Sequence, residues 1–145
     1  MRTAAERIFV DTNVFLSATD RDRETHGEAI AFLEEGFAGK HRLFASSQIF
    51  REYLVVATRP ISQNGLGLTA TAAVDNVRKF QQLVHILEEN RETSDRLIEL
   101  TQRHTLRGKR IHDANILATM QANGLTHLKT WNPADFETFP GITLC

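Results

Sequence analysis

The run Ile8-Phe9-Val10 is the feature that most constrains the fold, because it is wholly apolar and ends abruptly on the carboxylate of Asp11. β-Branched and aromatic residues without a charge suit a strand buried on both faces, as in a parallel sheet. The polar residues after it mark the strand's carboxyl end, the edge where open α/β sheets bind ligands. Asp11 is therefore a candidate functional residue, although an Asp after a strand can also serve as a helix N-cap.

Strand and helix patterns alternate along the rest of the chain. Further short apolar runs predict strands at residues 43–45, 84–87 and 142–144, and residues 126–130 are a further strand candidate. Helical spacing of apolar residues predicts helices at residues 13–18, 25–37, 47–58, 69–84, 93–104 and 111–123. The pattern predicts an α/β fold, a three-layer α/β/α sandwich with a mostly parallel sheet and right-handed crossovers. With 145 residues, of which 41% are hydrophobic, we expect one domain over residues 1–145.

Three segments carry expectations of their own. The helix over residues 49–57 is hydrophobic nearly all round, which predicts a central position in the fold. The helix over residues 93–104 is expected to use Thr93 or Ser94 as its cap. Residues 61–68 contain Gly65 and Gly67 and are expected to form a mobile connection or a plain solvent loop.

Charge and composition limit the protein's class without naming it. The 17 Lys and Arg nearly balance the 18 Asp and Glu, so nucleic-acid binding would need a local basic patch. The only cysteine, Cys145, cannot form an intramolecular disulfide. Residues 1–7 lack a signal peptide's apolar segment, and the chain has no run of about eighteen apolar residues. We expect a soluble cytoplasmic protein with no membrane contact.

Glu52 and Asp113 stand out from their surroundings. Glu52 is the only acid in its hydrophobic helix, where it needs a cationic partner such as Arg51 or Arg59, or exposure at one edge. Asp113 begins another helix, where the helix dipole alone would favour it. If both lie near Asp11, three carboxylates converge at the carboxyl edge of one sheet.

Convergent carboxylates repel one another unless a cation lies among them. Mg²⁺ and Mn²⁺ prefer such oxygen ligands and keep several waters. Bound ions of this kind activate water and neutralise charge on a phosphodiester. The three acids therefore predict metal-dependent hydrolysis of a nucleic-acid backbone.

Three segments contain these acids, at residues 10–15, 49–54 and 112–116, and a fourth segment, at residues 128–136, contains Asn132 and Asp135. Their order, and their spread over nearly the whole chain, resembles the signature blocks of PIN-domain ribonucleases, in particular the VapC toxins of bacterial toxin–antitoxin modules. The resemblance implies a Mg²⁺- or Mn²⁺-dependent endoribonuclease that acts on tRNA, rRNA or mRNA. It also implies a cognate antitoxin that holds the nuclease inactive, and a homodimer.

The resemblance also assigns roles to individual residues. Asp11, Glu52 and Asp113 match the first three family acids and are expected to bind metal, with Glu52 ligating the ion or deprotonating the attacking water. Asn132 falls where many members have a fourth acid, so we expect it to position water or phosphate. Asp135 is an alternative ligand, with helix capping as its simpler role.

Several neighbours of these acids are expected to assist. Asn13 and Thr130 would orient the acids by hydrogen bonds. Trp131 would stack on a base or belong to the core or a partner contact. A basic segment would bind RNA phosphates or form a solvated charged surface, and it comprises Arg103, Arg107, Lys109 and Arg110.

Three other functions remain open. A metal-free ribonuclease could use Arg107 and His112, although nucleases with that pair are helical. A phosphoacceptor domain could use Asp11, although the second aspartate of the dehalogenase motif is missing. A PIN-like module could instead bind RNA or protein with little turnover, which the intact set of three acids argues against.

Overall fold

The structure is a computed structural model that describes residues 4–145. Its strands are β1 (Glu6–Val10), β2 (His41–Ser46), β3 (His85–Leu87), β4 (His127–Lys129) and β5 (Thr143–Leu144). They form one sheet of order β3-β2-β1-β4-β5, in which every neighbouring pair is parallel. The predicted parallel sheet is thus confirmed, with β1 at its centre.

Six α-helices connect the strands. They are α1 (Thr12–Thr19), α2 (His26–Phe37), α3 (Ser47–Thr58), α4 (Ala70–Gln81), α5 (Arg91–His104) and α6 (Arg110–Ala122). Short 3₁₀ helices occupy Ile61–Gln63 and Pro133–Asp135. None of the helices in residues 4–145 is long and apolar enough to span a membrane.

The strand order fixes where a site can form. The chain runs from β1 to β2 and β3 in one direction across the sheet, then returns to β4 and β5 on the other side of β1. Right-handed crossovers in opposite directions place their helices on opposite faces, which gives the expected three-layer α/β/α sandwich. The switch point lies between β1 and β4, and ligands in open α/β sheets bind at the strand ends there.

Burial explains why β1 is central. Ile8, Phe9 and Val10 are at most 2% exposed, as an apolar strand covered on both faces requires. The strand begins two residues earlier than predicted, because Glu6 continues the ladder by pairing with His41 of β2. Hydrogen bonding along the ladder therefore extends the strand beyond its apolar part.

The predicted position of α3 is wrong in one respect. Tyr53 and Ala57 are fully buried, but Arg51 is exposed and the Val55 side chain is 51% exposed. The helix therefore buries one face only. Ser46 occupies the N-cap position of α3 but makes no side-chain capping bond, and the Glu89 carboxylate accepts the Gln48 N–H instead.

Two further boundaries differ from the sequence prediction. Helix α5 begins at Arg91 rather than Thr93, because the Asn90 side chain accepts the Thr93 N–H and is the N-cap. Residues 61–68 are not a loose connection. Their backbone bonds to the carboxyl end of α3, where Leu66 N–H donates to Val56, and a Cβ on Gly65 would overlap the Arg59 carbonyl.

Candidate active site

Asp11 lies directly after β1, at the switch point of the sheet, and is 8% exposed. Its Oδ1 accepts the Thr12 N–H at 2.7 Å, so it caps α1, and its Oδ2 accepts the Thr130 hydroxyl at 2.8 Å. Burial is the main cause that raises the pKa of Asp11 to about 6. The charges of Glu52 and Asp113 act in the same direction, and these two hydrogen bonds oppose them. Both roles weighed from the sequence therefore coexist, since Asp11 caps a helix and faces two other acids.

Glu52 lies on α3 and is half-buried. Thr12 Oγ1 donates to its Oε2 at 2.8 Å, and Gln48 Nε2 donates to its Oε1 at 3.0 Å. In the described part of the chain it forms no ion pair with Arg51 or Arg59, contrary to the simpler explanation offered for it. Neutral donors rather than a cation hold this carboxylate, which leaves its charge available.

Asp113 lies in the first turn of α6 and is half-buried. Burial raises its pKa to about 6, and the carboxylates of Asp135 and Glu52 act in the same direction, while Arg110 and Lys109 oppose them. Its side chain accepts no hydrogen bond within residues 4–145, so Asp113 makes no capping bond, although it lies in the first turn, where the helix dipole favours its charge. Asp113 is a partly desolvated acid among other acids.

A threonine hydroxyl at the end of β4 organises the β1 side of the site. Thr130 Oγ1 donates to Asp11 and accepts from Asn13 Nδ2 at 3.2 Å and from the Asn132 N–H at 3.0 Å. Thr130 orients an acid directly, as expected from the sequence. Asn13 reaches the acids only through Thr130, and its own Oδ1 accepts the Trp131 N–H.

The three acids and two further candidates line one cleft of about 490 Å³. Asn132 is exposed at its edge, and Asp135 is half-buried in the 3₁₀ helix that follows. The structure thus brings Asp11, Glu52, Asp113, Asn132 and Asp135 to the same opening. Asp135 raises the pKa of Asp113, which places a fourth carboxylate at this site.

Three cations border the acidic cleft, namely Arg51, Arg59 and Lys109. Within the described residues none of them forms an ion pair with an Asp or Glu side chain. An apolar wall of the cleft lies between α1 and α3 and is formed by Leu16, Val55 and Val56. The opening therefore combines negative, positive and apolar surfaces.

The predicted basic segment divides into residues with different surroundings. Lys109 reaches the cleft, whereas Arg103 is paired with Glu99. Arg110 is half-buried, donates to Thr138 and lies 5.2 Å from the centroid of the Phe139 ring. Arg107 is exposed and is not among the residues that line the cleft.

The arrangement does not assemble the metal-free pair considered from the sequence. His112 is exposed and lines the cleft, but its intended partner Arg107 does not. Trp131 is half-buried under Lys129, whose Nζ lies 4.7 Å from the ring centroid. This contact favours the core role of Trp131 over base stacking.

The donor chemistry of the cleft fits a hard divalent cation. Its acidic side chains supply carboxylate oxygens as donors. The raised pKa values of Asp11 and Asp113 show how costly their negative charges are without a counter-ion. In residues 4–145 no three His, Cys, Asp or Glu side chains converge as a ready-made ligand cage. Mg²⁺ does not need one, because it commonly uses one or two carboxylates and retains waters.

Two residues of this site were missed from the sequence. Thr12 bonds two of the acids at once, through its N–H and its hydroxyl. Gln48 is fully buried and bonds Glu52 from one turn away on the same helix. Its position four residues before Glu52 was a usable signal, because residues so spaced share a helix face.

Comparison with known proteins identifies the family. The family model of the PIN domain matches residues 8–139 of this chain. Ribonuclease VapC23 of Mycobacterium tuberculosis (strain ATCC 25618 / H37Rv) is 32% identical over 125 residues, which cover 86% of this chain and 92% of that protein. This match includes most of both proteins.

Solved structures show the same fold. The DNA-bound VapBC complex from Salmonella typhimurium aligns over 97% of each chain with a TM-score of 0.68 and 21% identity. A toxin–antitoxin complex from Klebsiella pneumoniae aligns over 94% of this chain and 95% of that one, with a TM-score of 0.64 and 26% identity. M. tuberculosis VapC20, a sarcin-ricin loop cleaving toxin, aligns over 83% of this chain and 86% of its own, with a TM-score of 0.64 and 21% identity. The chain therefore belongs to the PIN-domain family, within which it is similar to the VapC ribonucleases.

Proposed function

We propose that this chain is a Mg²⁺- or Mn²⁺-dependent endoribonuclease, built as one PIN-like domain over residues 1–145. The observation that carries the proposal is the cleft itself, where Asp11, Glu52 and Asp113 lie together at the switch point of a parallel sheet. Membership of the PIN-domain family and the identity with ribonuclease VapC23 support the same activity.

Asp11 and Asp113 are the residues we assign to hold the metal, with Glu52 as a third ligand or as the base that takes a proton from the attacking water. A bound Mg²⁺ or Mn²⁺ would activate that water and neutralise charge on the scissile phosphate. Thr12 and Thr130 keep the Asp11 carboxylate in one orientation, which avoids reorganisation during the reaction. Asn132 would position water or a phosphate oxygen at the edge of the cleft, and the 3′-oxygen would leave.

The border of the cleft suits a single RNA strand. Arg51 and Arg59 on one side and Lys109 on the other would bind phosphates that flank the scissile one. Val55 and its apolar neighbours would contact a base or ribose between them. This surface supplies the local basic patch that a chain of net charge −1 requires for RNA binding.

The partners of this nuclease are proposed by comparison. The similar structures include VapBC and other toxin–antitoxin complexes, so we propose a cognate antitoxin that holds the nuclease inactive. A homodimer and a cytoplasmic location remain predictions from the sequence.

Cleavage of total cellular RNA by the purified, antitoxin-free chain tests the activity. The assay compares Mg²⁺, Mn²⁺ and EDTA, with Asp11→Asn as the site variant. Asp95→Asn serves as a matched control, because Asp95 is exposed on α5 outside the cleft. We expect metal-dependent cleavage that Asp11→Asn abolishes and Asp95→Asn preserves.

Two outcomes would contradict the proposal. Cleavage that survives EDTA would point to His112 as a general base and exclude the metal mechanism. Tight RNA binding without cleavage in either metal would instead identify a binding module.

A further inference from the structure

Gln48 is a polar residue in the interior of the protein, with 0% of its surface exposed. Its Nε2 donates to Glu52 Oε1 at 3.0 Å and to the His112 carbonyl at 2.8 Å. Its Oε1 accepts from Asn115 Nδ2 at 2.7 Å. A buried amide is costly unless its groups are satisfied, and here both donor hydrogens and the acceptor have partners.

These bonds join the elements that carry two of the acids. Gln48 and Glu52 lie on α3, whereas His112 immediately precedes Asp113 on α6. One side chain therefore contacts the carboxylate of Glu52 and the backbone beside Asp113. A shift of α6 relative to α3 would break the hydrogen bond between Gln48 and the His112 carbonyl.

The orientation of this amide is fixed by its surroundings. The His112 carbonyl can only accept, so Nε2 must face it, and Oε1 must face Asn115. Asn115 is held in turn by Glu89, whose Oε1 accepts from Asn115 Nδ2 at 2.6 Å. Glu89 also accepts the Gln48 N–H at 3.2 Å, which closes the network.

We propose that Gln48 is a positioning residue for the nuclease, which holds the Glu52 carboxylate in register with Asp113 so that both can serve one metal ion. The inference rests on the proposed function. Gln48 is buried beneath the acids and does not line the cleft, so it acts through Glu52 rather than on RNA. Groups that orient metal ligands from behind commonly affect metal affinity and turnover.

The test replaces the amide by an apolar side chain of similar length, Gln48→Met. We expect Mn²⁺ affinity, measured by electron paramagnetic resonance without RNA, and kcat each to fall about 10- to 100-fold. KM for RNA should stay within about twofold, because no RNA contact is lost. Gln102→Met is the matched control, since Gln102 is an exposed glutamine on α5 and should change neither quantity.

A double-mutant cycle separates positioning from general structural damage. In a Glu52→Ala background Gln48→Met should change Mn²⁺ affinity by less than about threefold, because the carboxylate through which it acts is gone. An equal loss in both backgrounds would overturn the proposal, and so would wild-type affinity and kcat in Gln48→Met.

A second variant guards against failure of Gln48→Met to fold. Asn115→Ala leaves Gln48 and Glu52 in place but removes the bond to Gln48 Oε1. It should lower Mn²⁺ affinity in the same direction by a smaller factor, and unchanged affinity would count against the network. If the wild-type chain itself neither cleaves RNA nor binds Mn²⁺, the proposed function fails as well, which is a different result from an active enzyme that tolerates Gln48→Met.

Discussion

Asp11 is subject to opposing influences. Removal from water favours its neutral form, whereas hydrogen bonds from Thr12 and Thr130 favour its charged form. Burial is the larger effect, so the pKa rises to about 6. An acid poised in this way is stabilised when a cation arrives, which is typical of residues in functional sites.

This raised pKa predicts a pH dependence of stability. An ordinary aspartate has a pKa of 3.8, so as pH rises from there to about 6 the unfolded chain releases the Asp11 proton first. The free energy of unfolding therefore falls across that window and stays lower above it. Asp11→Asn cannot ionise, so without metal it should be more stable than wild type near neutral pH by about 1–3 kcal/mol.

Urea denaturation in EDTA measures this effect. The advantage of Asp11→Asn should disappear below about pH 3, where wild-type Asp11 is protonated in both the folded and the unfolded state. Asp95→Asn is the control and should show no such pH-dependent gain. If Asp11→Asn were more stable than wild type by the same amount at neutral pH and at low pH, the buried charge of Asp11 would not be the cause.

The Thr12 hydroxyl predicts a second effect on a single acid. Thr12→Val keeps the N–H that bonds Asp11 but removes the hydroxyl that bonds Glu52. We expect kcat to fall about tenfold or more, with metal affinity reduced as well. Thr12→Ser retains the hydroxyl and should keep most of the activity, so an equal loss in both variants would exclude this role.

At the scale of the element, α3 contributes to both the chemistry and the substrate surface. It carries Glu52 toward the other acids and Arg51 toward the opening, and Arg59, the residue directly after the helix, lies on the same cleft. Residues 61–68 fold back onto its carboxyl end and bond to its last turn. The position of Arg59 is therefore supported by the connection that follows it.

The two arginines of this helix predict the salt dependence of RNA cleavage. Arg51→Ala and Arg59→Ala should raise KM while kcat changes little, since they would bind phosphates outside the reacting bond. Each should also reduce the slope of log KM against log salt by about 0.7, the value for one phosphate contact on a single strand. Steady-state cleavage at several salt concentrations measures both quantities.

Arg103→Ala is the control for this prediction. Arg103 is exposed and paired with Glu99 in the last turns of α5, away from the cleft. It should leave KM and the salt slope unchanged. A smaller slope in this control would mean that general charge, rather than the cleft, governs RNA binding.

The sequence predicted the strands and helices better than it predicted which face of a helix is buried. The apolar runs of β1 and β2 can be recognised as strands from the sequence, because burial on both faces demands continuous apolar residues. The rotation of α3 about its axis is set by tertiary packing, so nothing local indicated that Val55 would be exposed or that Arg51 would border the cleft. The cap of α5 was missed for a simpler reason, since Asn90 and Thr93 are both good capping residues.

The acids of the candidate site and the supporting hydroxyl of Thr130 were predicted from the sequence, whereas the supports Thr12 and Gln48 were not. Asp11, Glu52 and Asp113 came from the anomaly of acids in apolar surroundings and from a family resemblance. Gln48 gave no such anomaly, because a glutamine beside a serine pair resembles an ordinary helix start. Its partners come from α6 and from the end of β3, and such distant contacts are invisible in one sequence.

At the scale of the whole molecule, metal binding should stabilise the fold. Asp11 directly follows β1, Glu52 lies on α3 and Asp113 lies on α6. An ion held among these acids would therefore link both sides of the switch point. At a Mg²⁺ concentration of about 100 times its Kd, the free energy of unfolding should increase by about 2.7 kcal/mol. Thermal unfolding with Mg²⁺ and with EDTA measures this increase as a shift in Tm.

The control for this shift is the double variant Asp11→Asn with Asp113→Asn. It retains the shape of the cleft but loses two of the charges that would attract the ion. The same Mg²⁺ should then change Tm little. A shift of equal size in this variant would show that Mg²⁺ stabilises the protein elsewhere.

The pairing of β1 with β4 also sets an order of events during synthesis. Asp11 emerges early from the ribosome, but its orienting hydroxyl is Thr130 and its strand's second neighbour is β4, more than a hundred residues later. Contacts so distant in sequence form late and slowly. A nascent chain thus carries its first acid long before it can complete the site, because the site cannot form until β4 and Thr130 have been synthesised and have docked beside β1.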